Sequence, residues 1–199
     1  MADTIGKNRP RQIPCFTDEE IVTVDKLSEE TEIGKATFFV PGSNFVRQEG
    51  GIHAYKTSYG TSVIQQQGLR GCPAGAASML IQDHGKKVSI TDLIRSNLGD
   101  DNTVIGMITN ADLIHHYTPK LSLKELPQLL SAHGPAIVGI WDPILFGHYI
   151  IVDAIVDGKA WIRDPFHGWA ITVTLEALKK RSPTSAIQIK EGTLPQVTS

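Results

Sequence analysis

Residues 65–85, QQQGLRGCPAGAASMLIQDHG, constrain the fold of this chain more than any other stretch. Gly68 and Gly71 permit a tight turn, and Pro73 brings a fixed φ suited to a first helical turn. The small Ala74, Gly75, Ala76 and Ala77 then lead into Met79, Leu80 and Ile81. The pattern predicts a turn that passes into a helix at Cys72. At such a start the unpaired backbone N–H groups and the positive end of the helix dipole favour a thiolate over a thiol. A lone cysteine is more commonly a small apolar packing residue, so distant partners decide its role. A thiolate that attacks a carbonyl needs an imidazole, a group that orients the imidazole, and donors for the developing oxyanion.

Residues 134–173, GPAIVGIWDPILFGHYIIVDAIVDGKAWIRDPFHGWAITV, offer the first two. His148 opens the run YIIVDAIV, Asp157-Gly158 marks a hairpin turn, and the return run AWIRD ends at Asp164-Pro165. The start of the first strand then lies near the end of the second, which brings an acceptor, Asp164, beside His148. Gln66 lies six residues before Cys72 and can turn its side-chain amide toward the oxyanion, with Gln65 and Gln67 equally near in sequence. Rival histidines are weaker. His84 falls at the far end of the cysteine helix, and His115 and His116 are adjacent in an expected helix and read as surface or loop-packing residues. His133 suits a helix C-terminus, His53 precedes the active turn, and His167 borders the cleft. Asp153 lies on the strand face opposite His148, and Asp142 belongs to a loop before Pro143. Trp141, Trp161 and Trp169 read as core or cleft wall.

Taken together, a glutamine followed six residues later by the cysteine of a Gly-Cys pair, a later Gly-His-Tyr, and Asp-Pro sixteen residues past that histidine resemble papain-like cysteine peptidases. Most similar are the bacteriocin-processing peptidase domains fused to certain exporters, whose cysteine-led helix also ends in a Gly-Lys-Lys-Val-Ser-like segment, here residues 85–89. His133-Gly134-Pro135 followed by a strand, a histidine and Asp-Pro also resembles the cysteine-protease effectors that bacterial pathogens deliver into host cells. The resemblance covers residues 60–190. It implies an α+β, papain-like fold, with a cysteine-led helical part packed on a mainly antiparallel sheet. The implied roles are Cys72 as nucleophile, His148 as general base and then acid, Asp164 as orienting acceptor and Gln66 as oxyanion donor. One departure stands out: Pro73 follows the cysteine directly and has no N–H to lend to an oxyanion hole. The implied function is a thiol-dependent acyl-transfer hydrolase, most simply a cysteine protease acting on a protein or peptide, without metal or cofactor. Deamidases, isopeptidases and acyltransferases use the same constellation, and a binding module with an incidental triad is the non-enzymatic alternative.

The rest of the chain sets bounds. At 199 residues and 41% hydrophobic content it suits one domain over residues 15–192. Residues 1–14 and 193–199 are expected to be flexible, and residues 15–59 form an N-terminal extension that reads as a prosegment, a lid or, most simply, extra sheet. A net charge of −2 gives no footprint for nucleic acid or an anionic membrane. Cys15 and Cys72 make neither a disulfide framework nor a zinc pattern. There is no secretory signal and no apolar run of membrane-spanning length, which fits a cytoplasmic enzyme or one delivered without a signal peptide. Thr17 and Glu20 have capping-box spacing, yet the β-branched residues 21–24 read equally as a strand. Further expectations are strands at 36–40, 136–141, 148–156, 159–164, 169–173 and 186–190, and an extended segment at 53–65. Helices are expected at 89–98, at 111–117, after the Ser122/Glu125 capping box, and at 175–180, with a loop at 100–109.

Overall fold

The computed structural model describes residues 15–28, 30–39, 47–65, 71–95, 99–142 and 146–193. At the start of these residues the strand reading holds, and the capping-box spacing of Thr17 and Glu20 closes a turn instead of starting a helix. Thr17 N–H donates to Glu20 Oε2 at 3.1 Å and Glu20 N–H donates to the Thr17 carbonyl at 2.9 Å, closing a turn. The β-branched residues after it form strand β1 (Ile21–Val24). Strands β2 (Thr31–Phe39), β3 (Arg47–Lys56) and β4 (Ser62–Gln65) make a three-stranded antiparallel sheet. The single extended segment expected over 53–65 is therefore two strands joined by a turn, closed by Thr57 N–H on the Thr61 carbonyl at 2.9 Å. Alternation alone had hidden that turn.

Helix α1 (Cys72–Asp83) is buried on every side from Cys72 to Ile81. A helix apolar all round belongs in an interior, and its four small residues let neighbouring elements approach closely. Helix α2 (Ile90–Arg95) realises the middle of the segment expected at 89–98, of which residues 96–98 lie outside the described residues. Two expectations are overturned. Residues 100–109 are not a loop but enter helix α3 (Asp101–Asn110), because the Asp100 carboxylate accepts the Thr103 N–H at 2.8 Å as an N-cap. Residues 111–117 are not a helix but lead into strand β5 (Leu113–Pro119) after Asp112 takes a positive φ of 58°. The aromatic and β-branched Ile114, Tyr117 and Thr118 suit the pleated ladder into which the chain feeds them.

From there sequence and structure agree closely. Ser122 N–H reaches Glu125 Oε2 at 3.3 Å ahead of helix α4 (Leu126–His133). Strands β6 (Ala136–Asp142), β7 (Phe146–Val156), β8 (Lys159–Asp164) and β9 (Trp169–Thr174) come next, then helix α5 (Leu175–Lys180) and strand β10 (Ser185–Thr193). The β7–β8 turn has positive φ at both Asp157 (50°) and Gly158 (71°), the geometry that matches the twist of a two-residue hairpin. A seven-stranded antiparallel sheet runs in the order β1-β9-β8-β7-β6-β10-β5. One apolar cluster joins Ile137, Ile151 and Ile187 of this sheet to α1, α3 and Ile52 and Val63 of the small sheet. A second joins Val138, Ile150, Ile162 and Val173 to Leu126 of α4, Leu178 of α5 and Phe16. The expected α+β plan of a cysteine-led helix on an antiparallel sheet is the observed one.

An irregularity in the β7–β8 ladder decides which way His148 and Asp164 point. Ala154 faces Trp161, but Val152 faces Ile162, so Asp153 is an extra, bulged residue. Each such slip exchanges the two faces of a strand. In an unbroken two-residue hairpin His148 and Asp164 would project from opposite faces; the bulge returns them to the same one. The bulged residue is itself anchored: Arg163 Nε lies 2.9 Å from Asp153 Oδ2, and its NH2 lies 2.7 Å from both Asp153 Oδ1 and Asp83 Oδ2. Arg163 also donates from NH1 to the Ser62 carbonyl at 2.9 Å. This fully buried guanidinium thereby joins β8, β7, β4 and the end of α1. Replacing Arg163 by Leu leaves two carboxylates without their cation, and we expect a loss of about 3 kcal/mol or more in urea unfolding. A loss under about 1 kcal/mol would show that the clamp is dispensable.

Candidate active site

Cys72 is the first residue of α1, where Gly71 provides no side-chain cap. The first helical hydrogen bond, Gly75 N–H to the Gly71 carbonyl at 2.9 Å, leaves the Cys72 N–H outside the helix ladder, and Pro73 has none to offer. His148 lies near the start of β7 and Asp164 at the end of β8. His148 Nε2 is 2.9 Å from Asp164 Oδ1, both side chains being fully buried. The same oxygen accepts the Phe166 N–H at 2.8 Å, which fixes the carboxylate, and the Phe166 ring stands edge-on to the imidazole at 6.0 Å. With Nε2 committed to a carboxylate, the proton of the neutral imidazole resides there and the lone pair is on Nδ1. Nδ1 is buried without a hydrogen-bond partner among the described residues, and Cys72 lies close enough to act on this ring.

The electrostatics follow from that contact. Burial opposes a charged imidazole, but the charge of Asp164, then that of Cys72, outweighs it and holds His148 up at about 10. Burial likewise opposes the Asp164 carboxylate, but His148 and then His167 outweigh it and bring Asp164 down to about 2. A second set of contacts, not legible in any local spacing, fastens the residue beside His148. Tyr149 OH and Ser185 Oγ donate to Asp101 Oδ1 at 2.7 and 2.9 Å, and Tyr117 OH donates to Asp101 Oδ2 at 2.8 Å. Burial, the Asp101 hydrogen bond and charge, and the nearby Cys72 all hold the Tyr149 phenol in its protonated form.

The structure thus brings Cys72, His148 and Asp164 together, while Gln66 lies outside the described residues. Gln65 is described and packs beneath the 165–168 turn, where a Cβ on Gly168 would fall 2.2 Å from Gln65 Cβ. The rival histidines are engaged elsewhere. His53 Nδ1 is 2.6 Å from Glu30 Oε1 and His84 Nδ1 is 2.9 Å from the Leu80 carbonyl. His115 and His116 sit on a strand rather than the expected helix, and the His116 ring stacks on His133 at 4.5 Å. Asp153 grips Arg163 on the other face, as expected, and Asp142 is the last residue of β6 rather than part of a loop. His167 comes nearer to the centre than its sequence position implied, 3.7 Å from Asp164 Oδ2. No group of three or more metal-ligating side chains occurs among the described residues.

The family model of the peptidase C39 family matches residues 61–191. The chain belongs to that family. It is a papain-like cysteine peptidase by family and by fold, and the match spans Cys72, His148 and Asp164 alike. The fold is similar to that of the peptidase domain of Streptococcus ComA, a bi-functional ABC transporter involved in a quorum-sensing pathway. That similarity has a TM-score of 0.58 at 16% identity, over 64% of this chain and 96% of that one. It is also similar to a double glycine motif protease from an AMS/PCAT transporter, crystallised in complex with the leader peptide. Here the TM-score is 0.51 at 20% identity, over 64% of this chain and 89% of that one. No curated protein matches the chain.

The two shifts at this candidate site define a pH window. His148 keeps its proton above its ordinary 6.5, so its contribution to stability is complete below that pH and fades as pH rises through about 10. Asp164 keeps its charge below its ordinary 3.8, so its contribution is complete above that pH and fades as pH falls through about 2. The stability lost in Asp164→Asn, measured by urea unfolding across pH, should be largest between these ordinary values and shrink steadily toward pH 10. A pH-independent difference would contradict the ion pair.

Proposed function

We propose that this chain hydrolyses peptide bonds through Cys72, His148 and Asp164. His148 Nδ1 takes the Cys72 proton, and the sulfur bonds to the scissile carbonyl carbon as the C=O π pair moves onto oxygen. The Cys72 N–H, free of the helix ladder, supports that oxyanion together with the side chain of Gln66. The intermediate collapses, the C–N bond breaks, and Nδ1 returns its proton to the leaving amine. Water then attacks the thioester with His148 again as base, releasing the acid and restoring the thiol. Asp164 keeps the ring in the tautomer this sequence requires, the reason a carboxylate and not a second base belongs there.

What supports this reading above all is the contact of His148 Nε2 with Asp164 Oδ1, which leaves Nδ1 to the sulfur. A peptide substrate is favoured by the similar transporter protease crystallised with its leader peptide. The test has two stages. Both cysteines are buried, so iodoacetamide at mildly acidic pH should alkylate Cys72 in preference to Cys15 through its imidazole partner, and His148→Ala should slow that reaction by about 100-fold. Peptides that include double-glycine leaders, and a proteome exposed to wild type or to Cys72→Ala, should then yield new N-termini with the wild type alone. Equal, slow labelling of both cysteines would overturn the proposal. Selective labelling with deamidated or amine-linked products would move it to another acyl transfer at the same centre.

A further inference from the structure

The carboxylate proposed to orient His148 has one oxygen left over. Asp164 Oδ1 takes both His148 Nε2 and the Phe166 N–H, whereas Oδ2 is buried without a hydrogen bond among the described residues. His167 Nε2 stands 3.7 Å from that oxygen. The same nitrogen accepts the backbone N–H of Cys15 at 3.1 Å. A ring nitrogen cannot serve both partners: it accepts from an amide with a lone pair and donates to a carboxylate only when it carries a proton.

Cys15 is held in place by a built contact. Its carbonyl accepts Arg181 Nε at 2.7 Å, and Arg181 NH2 pairs with Glu20 Oε2 at 2.6 Å. The Arg181 guanidinium also lies 5.1 Å from the centre of the fully buried Phe16 ring. The chain then continues into β1, which extends the large sheet beside β9. Cys15, Phe16, Glu20 and β1 precede the stretch matched by the family model, whereas Arg181 and β9, which hold them, lie within it.

We propose that His167 is a positioning residue for Asp164, and that the docked segment 15–24 decides through the Cys15 amide which partner His167 Nε2 serves. The inference rests on the triad reading and deepens it. With the segment docked, His167 at pH 7 is neutral, carries its proton on Nδ1, and leaves the Asp164 charge to His148; its own charge reaches Asp164 only at the acid pH where that carboxylate titrates. With the segment released, Nε2 takes a proton from solvent and donates it to Asp164 Oδ2. One carboxylate then serves two imidazoles and holds the His148 proton less firmly. The segment becomes a permissive element of the peptidase, in contrast to a prosegment that must be removed. Among the described residues, the titratable groups that face His167 include Asp164 from β8, with His148 and Cys72 behind it, and Cys15 from the N-terminal segment. Around Cys15 stand Arg181, Glu20 and Lys180, and the rings of Phe166 and Trp169 lie 5.0 and 4.6 Å from the imidazole.

Cys15→Pro deletes the N–H, and Cys15→Ala deletes the thiol but keeps the N–H. Imidazole nitrogen NMR of the full chain should find wild type and Cys15→Ala at pH 7 with the His167 proton on Nδ1. Cys15→Pro should raise the His167 titration midpoint by about one pH unit and move the acid limb of Cys72 alkylation with it. Adding His167→Gln should abolish that displacement. Should Cys15→Pro melt well below Cys15→Ala, Arg181→Met, which releases the Cys15 carbonyl, should move the midpoint in the same direction. The proposal is overturned if the two Cys15 variants titrate alike, if neither Cys15→Pro nor Arg181→Met moves the midpoint, or if wild-type His167 already carries its proton on Nε2 at pH 7. An unreactive Cys72 beside the expected His167 signature would remove the triad and leave the His167 contact standing.

Discussion

A single buried guanidinium holds the functional end of this molecule in register. Arg163 reaches Asp153 on the neighbouring strand, Asp83 at the end of the cysteine helix and the Ser62 carbonyl in the small sheet. Asp83 and Cys72 are the two ends of one rigid helix, so an anchor at Asp83 limits how far the sulfur can slide past the strands that carry His148 and Asp164. A buried ionic cluster is a poor source of net stability, because desolvation consumes much of the Coulombic gain. Its effect here is selective. Only the bulged ladder places Asp153 under Arg163, and only the bulged ladder puts His148 and Asp164 on one face. The pairing that satisfies the buried charge is the pairing that assembles the site.

The centre itself is built on rigid elements. Cys72 comes from a helix, His148 and Asp164 from adjacent strands, and the Phe166 N–H pins the carboxylate from the turn after β8. Asp101 adds a second brace by collecting the hydroxyls of Tyr149, Ser185 and Tyr117, which ties the strand bearing His148 to α3, β10 and β5. Such support would serve the proposed acyl transfer, which tolerates little misplacement between sulfur, imidazole and carbonyl. The extension ahead of the C39 match is woven into the same body. β1 lengthens the large sheet, β2 and β3 complete the small one, and Phe16 is buried with α5.

Much of this was written in the letters. The glycine turn, Pro73 and the small residues announced a helix starting at Cys72, and the Asp157-Gly158 hairpin, the Ser122/Glu125 box and the helix at 175–180 carry local signals that the structure follows. Where the reading failed, competing signals were close in strength. Asp100 caps α3 through the Thr103 N–H, but the residues after it carry weak periodicity, so the local signal for a helix is faint. Residues 111–117 have no strong intrinsic preference, and pairing with β10 makes them a strand, a decision taken about seventy residues downstream. Chain tails and the Gln66 assignment lie outside the described residues.

By itself the sequence determined the chemistry on offer: a thiol at a helix start, an imidazole on one arm of a hairpin and a carboxylate on the other. Turn residues, caps and side-chain types act over a few positions, which is why they can be read directly. The tertiary structure alone decided the face on which His148 and Asp164 project, because that depends on one bulged residue held by a charge from across the core. It alone brought Cys15 to His167, a contact spanning 152 positions. No spacing rule reaches so far, since contacts of that separation are selected by how whole layers pack.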